Sequence, residues 1–298
     1  MLSKLQRSSL TVEGVERTYA YVIPENLNLS QPRAIHFSFH GAGSDADYHS
    51  RLTKFHELAI EDGHVVVYPE AIRTDRDGKE VKQWHDGTKS NRARKAGVDD
   101  AAFVLALIEV FAEKFALDRG QIYASGFSNG GAFSLRLAVE YADTFAAVGS
   151  VGALLAHDTA QTASTNAAPA VVIMGDKDPV VPYDHAYARA GVQYEVTEML
   201  GAEATMTGLV SNVAETVEKR LSPLDLTDPT RVIAKEYYNE EIQPVAWLYT
   251  VKGGGHTWPG GPKVQPAYFG RVSQQLEASR VLWQQMKLLN RESKVMQS

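Results

Sequence analysis

The sequence predicts an α/β protein in which helices cover both faces of a mainly parallel β-sheet. Short apolar runs with the length of buried strands alternate with longer segments whose apolar residues recur at helical spacing. Strands that are apolar on both faces are typical of a parallel sheet between two helical layers. The chain has 298 residues, a length that suits one large domain, and we expect residues 1–298 to form it.

The first elements are predicted from alternation. Two extended segments predict an edge hairpin over residues 10–24. Residues 33–40 predict a strand, because Ile35, Phe37 and Phe39 alternate and would share one face.

Helical spacing and apolar runs predict the next elements. Residues 49–62 have apolar side chains at helical intervals, and Gly63 stands where a left-handed glycine often ends a helix. Residues 64–69 then predict a short buried strand, and residues 98–115 predict a strongly amphipathic helix.

The carboxyl-terminal half continues the same rhythm. Apolar runs over residues 145–151, 170–174 and 245–251 predict three more buried strands. Residues 272–289 predict a terminal helix.

Two insertions interrupt this pattern. Residues 72–97 are polar, with eight Lys/Arg against four Asp/Glu, and residues 183–241 exceed a plain crossover and predict a helix near 211–221. Long insertions near the carboxyl ends of strands commonly shape a substrate cleft, which is our expectation for both. The alternatives are a surface excursion without a role and, for the first insertion, a solvated basic surface.

Bulk composition excludes several functional classes. A net charge of −6 and a pI near 5.9 argue against nucleic acid as the main partner. No run approaches the roughly 18 apolar residues that span a bilayer, so no membrane partner is expected. The chain contains no cysteine, which excludes disulfides, thiolate metal sites and a cysteine nucleophile. We expect a cytoplasmic protein, or a secreted or periplasmic one whose signal peptide has been removed.

The most informative motif runs from Gly126 through Ser128 to Gly130. It follows a short apolar run over residues 121–124 and precedes a helix-like run over 132–138. A Gly-x-Ser-x-Gly motif between a strand and a helix predicts a nucleophile elbow, in which Ser128 is strained and exposed to substrate. The glycines are needed because a side chain at either position would clash with the neighbouring strand or helix.

Partners for this serine follow in the order Ser, Asp, His. Asp178 comes just after the strand over 170–174 and is the predicted orienting carboxylate; Asp176, nearer the strand, is the competing candidate. His256 follows three glycines and the strand over 245–251, and is the predicted base.

Two backbone N–H groups complete the predicted site. Asn129 follows the nucleophile, and Ala42 lies in the loop after the strand over 33–40; both are predicted oxyanion donors. The other histidines are not grouped with carboxylates at metal-ligand spacing, so no metal and no cofactor is predicted.

With these residues in place, the chain resembles the polyhydroxybutyrate-depolymerase-like esterases, a group close to the feruloyl and acetylxylan esterases of the α/β-hydrolase fold. The resemblance implies that fold, serine esterase activity, the triad Ser128, Asp178 and His256, and the oxyanion donors Ala42 and Asn129. It extends over most of the chain and rests on these segments: Arg17 to Pro24, His40 to Asp47, Tyr68 to Ala71, Trp84, Val98 to Phe103, Gly126 to Gly131, Asp178 to Tyr183, and Gly254 to Gly260.

The predicted function is hydrolysis of carboxylic esters through an acyl-enzyme. The expected partner is a small-molecule or oligomeric ester: a soluble short-acyl, hydroxyalkanoate or aromatic, feruloyl-type ester. Trp258, Tyr183 and Trp84 are the predicted substrate contacts; the alternatives are loop packing for Trp258 and a cap on the sheet for Trp84. A serine peptidase of the same fold and an inactive binding protein are the alternative functions. The sequence specifies no oligomeric state.

Overall fold

The computed structural model describes residues 5–25, 27–76, 79–162, 167–184, 198–210, 213–263 and 266–295. Twelve strands lie within these ranges: β1 (Gln6–Val12), β2 (Val15–Val22), β3 (Arg33–Phe39), β4 (Val65–Pro69), β5 (Arg73–Arg76), β6 (Lys79–Lys82), β7 (Leu117–Phe127), β8 (Ala147–Val151), β9 (Ala170–Gly175), β10 (Glu215–Arg220), β11 (Arg231–Tyr238) and β12 (Pro244–Lys252). The helices are α1 (Ala46–Thr53), α2 (Phe55–Asp62), α3 (Arg92–Lys95), α4 (Asp100–Lys114), α5 (Asn129–Glu140), α6 (His157–Thr162), α7 (Ala202–Leu209) and α8 (Ala278–Val295), with a 3₁₀ turn at Ala267–Phe269.

Ten of the strands form one sheet in the order β1-β2-β4-β3-β7-β8-β9-β12-β11-β10. The central strands from β4 to β12 run parallel, and an antiparallel pair continues the sheet on each side. The predicted mainly parallel sheet is therefore confirmed. Because parallel strands end at the same edge, the loops after β3, β7, β9 and β12 meet there, and these loops carry the predicted site residues.

A hydrophobic core lies on each face of the sheet. In β3, Ile35, Phe37 and Phe39 enter one core, as their alternation predicted, while in β4 Val66 and Tyr68 enter the other. The first core also contains side chains of α4, α5 and α7, and the second contains side chains of α2 and α8. Helices therefore cover both faces, as predicted.

Several predicted boundaries agree with the structure. The predicted edge hairpin is present as β1 and β2, although it begins at Gln6 rather than at residue 10. Gly63 ends α2 in the left-handed conformation, with φ 69°, and its N–H donates to Ala59 O. The amphipathic helix is α4, whose first turn is capped by the Asp99 side chain.

Three predicted helices differ. The helix over 49–62 is two helices, because Lys54 adopts φ 53° and interrupts the chain between α1 and α2. The terminal helix begins at Ala278 rather than at residue 272, since the preceding segment is held by loop contacts such as the bond from Gly260 N–H to Ser273 O. The helix near 211–221 is wrong: residues 215–220 form β10 and pair with β11.

The two insertions build structure beyond the central sheet. Residues 72–97 contain the separate hairpin of β5 and β6 and the short α3. The described part of 183–241 contains α7, β10 and all of β11, so it lengthens the sheet; residues 185–197 and 211–212 lie outside the described residues. None of the helices in the described ranges combines the length and apolar character needed to cross a membrane.

Candidate active site

Ser128 occupies a strained turn between β7 and α5. Its backbone has φ 53° and ψ −128°, a region that L-residues rarely adopt. The turn is tight enough that a Cβ at Gly126 would lie 2.3 Å from the Gly130 backbone, and a Cβ at Gly130 would lie 2.4 Å from Phe39 O. The Ser128 N–H donates to Val151 O at 2.8 Å, which ties the turn to β8. Both glycines are therefore required by close backbone approach.

The structure brings Ser128, His256 and Asp178 into one hydrogen-bonded chain. Ser128 Oγ lies 2.8 Å from His256 Nε2, and His256 Nδ1 lies 2.7 Å from Asp178 Oδ2. The side chains of His256 and Asp178 are almost fully buried. Because a carboxylate accepts hydrogen bonds, Nδ1 carries the proton and Nε2 can accept from the serine hydroxyl.

Asp176, the competing carboxylate, holds the histidine loop instead. Its Oδ1 accepts the Gly253 N–H at 2.6 Å, and its own N–H donates to Val251 O. Its side chain therefore joins the loop after β9 to the start of the loop after β12, and the ring of His256 bonds to Asp178.

The loop carrying His256 is fixed by backbone contacts with the 3₁₀ turn. His256 N–H donates to Phe269 O at 2.7 Å, and Gly255 N–H donates to Arg271 O at 2.9 Å. A Cβ at Gly255 would lie 2.2 Å from Phe269 O, so glycine is needed at this approach. The imidazole itself lies near two aromatic rings, with centroid distances of 5.1 Å to Phe127 and 5.9 Å to Phe269.

The two predicted oxyanion residues approach Ser128 from opposite parts of the chain. Asn129 is the first residue of α5, where N–H groups have no acceptor within the helix. Ala42 lines the same cleft as Ser128, and a Cβ at the adjacent Gly41 would lie 3.4 Å from Ser128 Cβ. The structure thus brings both residues to the serine, beside the positive end of the α5 dipole.

A cleft of about 440 Å³ opens at Ser128. Trp258 contributes to its wall but is only 3% exposed, because its indole packs on Phe55 and Phe127 and donates from Nε1 to Ser279 Oγ. Both readings of Trp258, cleft wall and loop packing, therefore describe its position. The lining residues are Gly41, Ala42, Gly43, Ser44, Asp45, Tyr48, His49, Leu52, Phe127, Ser128, His256, Thr257, Trp258 and Phe269.

Two predicted substrate contacts lie elsewhere. Trp84 is fully buried in the first core, where it stacks on Phe133, so its prediction as a substrate contact is wrong and its alternative as a cap on the sheet fits. Tyr183 is half-buried and bonds to Thr250 Oγ1 at 2.7 Å, and it is not one of the residues that line this cleft. Among the described residues, neither insertion lines this cleft.

Sequence reasoning missed two buried polar residues next to the site. His40 donates from Nδ1 to Gly41 O at 2.7 Å and accepts the Ala71 N–H at Nε2; burial lowers the pKa of His40 to about 4. Asp86 accepts from Asn129 Nδ2 at 2.7 Å, and burial raises the pKa of its carboxyl. A histidine before a Gly-x-Gly loop was a visible signal, whereas nothing local marked Asp86.

No cluster of three or more potential metal ligands occurs in the described ranges. The polar groups nearest Ser128 Oγ include the imidazole, the carboxylate behind it and the backbone groups described above. Such a set can transfer an acyl group by nucleophilic attack, general base catalysis and oxyanion stabilisation.

Known proteins are similar to this chain in sequence. A family profile described as "Esterase PHB depolymerase" matches residues 17–193, more than half of the chain. NocK of Nocardia uniformis subsp. tsuyamanensis, described as an esterase, is 28% identical over 285 residues, which are 91% of this chain and 79% of that protein. Feruloyl esterase B of Talaromyces stipitatus is 28% identical over 134 residues, which are 45% of this chain and 35% of that protein.

The fold agrees with a solved structure as well. The acetyl xylan esterase from Aspergillus awamori superposes with a TM-score of 0.52 at 14% identity, over 85% of this chain and 94% of that one. Together with the sheet order, this likeness identifies the α/β-hydrolase fold. The profile match shows the family: the chain belongs to the esterase PHB depolymerase family, a family of carboxylic ester hydrolases.

Proposed function

We propose that this protein is a serine carboxylesterase in which Ser128 forms an acyl-enzyme. The observation that carries the proposal is the unbroken chain of hydrogen bonds from Ser128 Oγ through His256 to Asp178. A buried carboxylate behind the imidazole holds the tautomer whose Nε2 can take the serine proton.

In the proposed reaction, Ser128 Oγ attacks the ester carbonyl carbon while His256 Nε2 takes the hydroxyl proton. The carbonyl oxygen becomes an oxyanion that accepts the N–H groups of Ala42 and Asn129. His256 returns the proton to the leaving alkoxide, which departs as the alcohol. Water then attacks the acyl group by the same relay and releases the acid.

The substrate we propose is a soluble ester with a short-acyl, hydroxyalkanoate or aromatic acid part. A cleft of about 440 Å³ lies within the range of small-molecule sites and would admit one such group. Phe127, Trp258 and Phe269 supply aromatic walls, which favour a flat acyl group over a long flexible one. The feruloyl and acetyl xylan esterases among the relatives fit the same range of acyl groups.

The test compares initial rates of the wild type and Ser128→Ala on one panel. The panel holds short p-nitrophenyl esters, methyl ferulate, acetylated xylan and 3-hydroxybutyrate oligomers. We expect Ser128→Ala to lose nearly all turnover, roughly 10³-fold or more, with unchanged unfolding temperature. The matched control is Ser134→Ala, a buried serine whose hydroxyl bonds to Gly130 O within α5.

A covalent probe separates the alternatives. An organophosphonate should add one adduct at Ser128 in the wild type and none in Ser128→Ala. Turnover retained by Ser128→Ala would refute the serine mechanism. A wild type that neither reacts with the probe nor hydrolyses any ester would favour the inactive binding protein, and release from peptide amides at ester-like rates would favour the peptidase.

A further inference from the structure

The two candidate oxyanion donors, Ala42 and Asn129, lie in segments that are far apart in sequence, and one residue, Trp84, is hydrogen-bonded to both segments. Trp84 donates from Nε1 to His40 O at 2.9 Å, and its backbone forms a reciprocal pair of hydrogen bonds with the Asn129 side chain. We propose that Trp84, together with Asp86, is a positioning unit that sets the spacing and direction of the Ala42 and Asn129 N–H groups. The inference deepens the proposed esterase function and rests on it.

The Asn129 side chain is held on three sides. Its Oδ1 accepts the Trp84 N–H at 2.7 Å, and its Nδ2 donates to Trp84 O at 3.0 Å and to Asp86 Oδ2 at 2.7 Å. Both amide hydrogens are therefore used, and Asn129 is 8% exposed. Because the side chain cannot rotate, the first turn of α5 and the N–H of Asn129 are fixed relative to β6 and the segment after it.

The Asp86 carboxylate is itself held by Thr88, two residues later in the chain. Its Oδ1 accepts both the N–H and the hydroxyl of Thr88, at 3.0 and 2.7 Å, which leaves Oδ2 for Asn129. The residue is 4% exposed. A buried carboxylate that accepts these donors satisfies them without contacting the cleft, so its proposed role is to orient Asn129.

His40 provides the corresponding hold on the other donor. Its Nδ1–H bonds to Gly41 O, which also accepts the Ser44 N–H at 3.2 Å. The C=O of Gly41 and the N–H of Ala42 belong to one planar trans peptide and point in opposite directions. Holding the carbonyl against His40 therefore directs the Ala42 N–H the other way, and the bond from Trp84 to His40 O fixes the preceding peptide.

The indole is seated rigidly enough for this role. It stacks on Phe133 with an interplanar angle of 2° and a centroid distance of 5.3 Å, and it meets the edge of Phe39 at 5.1 Å. Phe133 belongs to α5, the helix that begins at Asn129, while Phe39 ends β3 just before His40. Trp84 therefore contacts both donor-bearing elements through its ring as well as through hydrogen bonds.

The decisive substitution is Trp84→Phe, which keeps an aromatic ring on Phe133 and removes the bond from Nε1 to His40 O. The matched control is Trp283→Phe, which removes the indole bond to Asp62 Oδ2 from a buried tryptophan in the second core. We expect Trp84→Phe to lower kcat about 10- to 100-fold with KM within about twofold, because a displaced donor weakens only the transition state. Trp283→Phe should lower the unfolding temperature comparably and leave kcat near wild type.

A second readout does not depend on knowing the natural ester. Diethyl p-nitrophenyl phosphate reacts with Ser128 Oγ, releasing p-nitrophenolate, and its phosphoryl oxygen would occupy the same donor pair. We expect the second-order rate of this reaction to fall in Trp84→Phe by the same factor as kcat. Asp86→Asn should show the same pattern. An asparagine side chain has a single acceptor oxygen, so it cannot accept from both Thr88 N–H and Asn129 Nδ2 as the two carboxylate oxygens do. The matched control is Asp228→Asn, a buried carboxylate that also accepts two backbone N–H groups.

The outcomes separate the two proposals. Equal phosphorylation rates in Trp84→Phe and Trp283→Phe, with an active wild type, would overturn the positioning unit and leave the esterase intact. A wild type in which Ser128 does not react and esters are not hydrolysed would overturn both. Loss of rate that follows the loss of unfolding temperature equally in test and control variants would also refute a specific role.

Discussion

The carboxylate of Asp178 bonds to His256 with one oxygen and to the backbone with the other. Oδ2 faces Nδ1 of the imidazole at 2.7 Å, while Oδ1 accepts the N–H groups of Val180 and Val181 at 2.8 Å each. The two backbone donors fix the direction of the carboxylate, so the imidazole meets an oxygen whose position does not depend on substrate.

This relationship predicts the effect of Asp178→Asn. The amide oxygen should take the two backbone N–H groups, which would turn the amide NH₂ toward His256 and force the proton onto Nε2. That tautomer cannot accept from Ser128, so kcat should fall roughly 10³- to 10⁴-fold while the unfolding temperature changes little. Asp176→Asn should retain far more activity; equal losses in the two variants would contradict the assignment.

Backbone strain at Ser128 predicts that glycine is more stable than alanine at this position. Glycine tolerates positive φ at no steric cost. The free energy of unfolding of Ser128→Gly should therefore be about 1 kcal/mol higher than that of Ser128→Ala. Both variants lack the hydroxyl and should be inactive, so the comparison isolates the backbone. Urea unfolding of the two proteins measures it, and equal stabilities would show that the turn is unstrained.

The buried pair of Arg17 and Asp100 predicts a strong stability effect. Arg17 Nη2 lies 2.6 Å from Asp100 Oδ1, both side chains are almost fully buried, and Asp100 also accepts the His85 N–H. Arg17→Met would leave a buried carboxylate unpaired and should cost about 3–5 kcal/mol. Adding Asp100→Asn, which keeps the acceptor for His85, should restore at least half; chemical unfolding of both variants checks this, and no recovery would contradict it.

The buried histidines predict that the free energy of unfolding decreases at acidic pH. Burial lowers the pKa of His64 from 6.5 to about 3, and both its ring nitrogens lack a hydrogen-bond partner within the described residues. Below pH 6.5 the His64 side chain binds a proton in the unfolded chain but not in the folded chain. Its effect on the free energy of unfolding is therefore absent above pH 6.5, and below that pH it lowers this free energy by about 1.4 kcal/mol per pH unit. Between pH 7 and pH 5, the free energy of unfolding of His64→Leu should therefore fall by about 2 kcal/mol less than that of the wild type.

The measurement is the free energy of unfolding at pH 7 and pH 5. His36 and His49, whose pKa values burial also lowers, remain in the variant, so a residual slope is expected. An unchanged slope in His64→Leu would contradict the assignment.

The sequence predicted those features that depend on local pattern and chain order. Alternation in β3 and the left-handed Gly63 are local signals, and the order of Ser128, Asp178 and His256 named the side chains that the structure brings together. Lys54 was missed because neither glycine nor proline marks its positive φ. The helix predicted near 211–221 failed because β10 is held by pairing with β11, a contact between segments that sequence pattern does not reveal.

Parts of the site were missed for the same reason. Asp86 acts at a distance of 43 residues from Asn129, and such a hydrogen bond leaves no local trace. Trp84 lies in a polar segment without apolar periodicity, so its burial depends on the first core, whose other side chains come from distant parts of the chain. Long-range contacts, rather than propensity, decide which polar side chains surround the nucleophile.

The edge strand β10 carries charges that oppose aggregation of this protein. β10 presents mostly exposed side chains, and Glu215, Glu218, Lys219 and Arg220 are charged. Among the described strands, none pairs with the outer edge of β10, and another strand that paired there would lie against those charges, which opposes aggregation between copies. Replacing Glu218 and Arg220 with valine would remove two of these charges and favour strand pairing between copies, although neither residue lines the cleft.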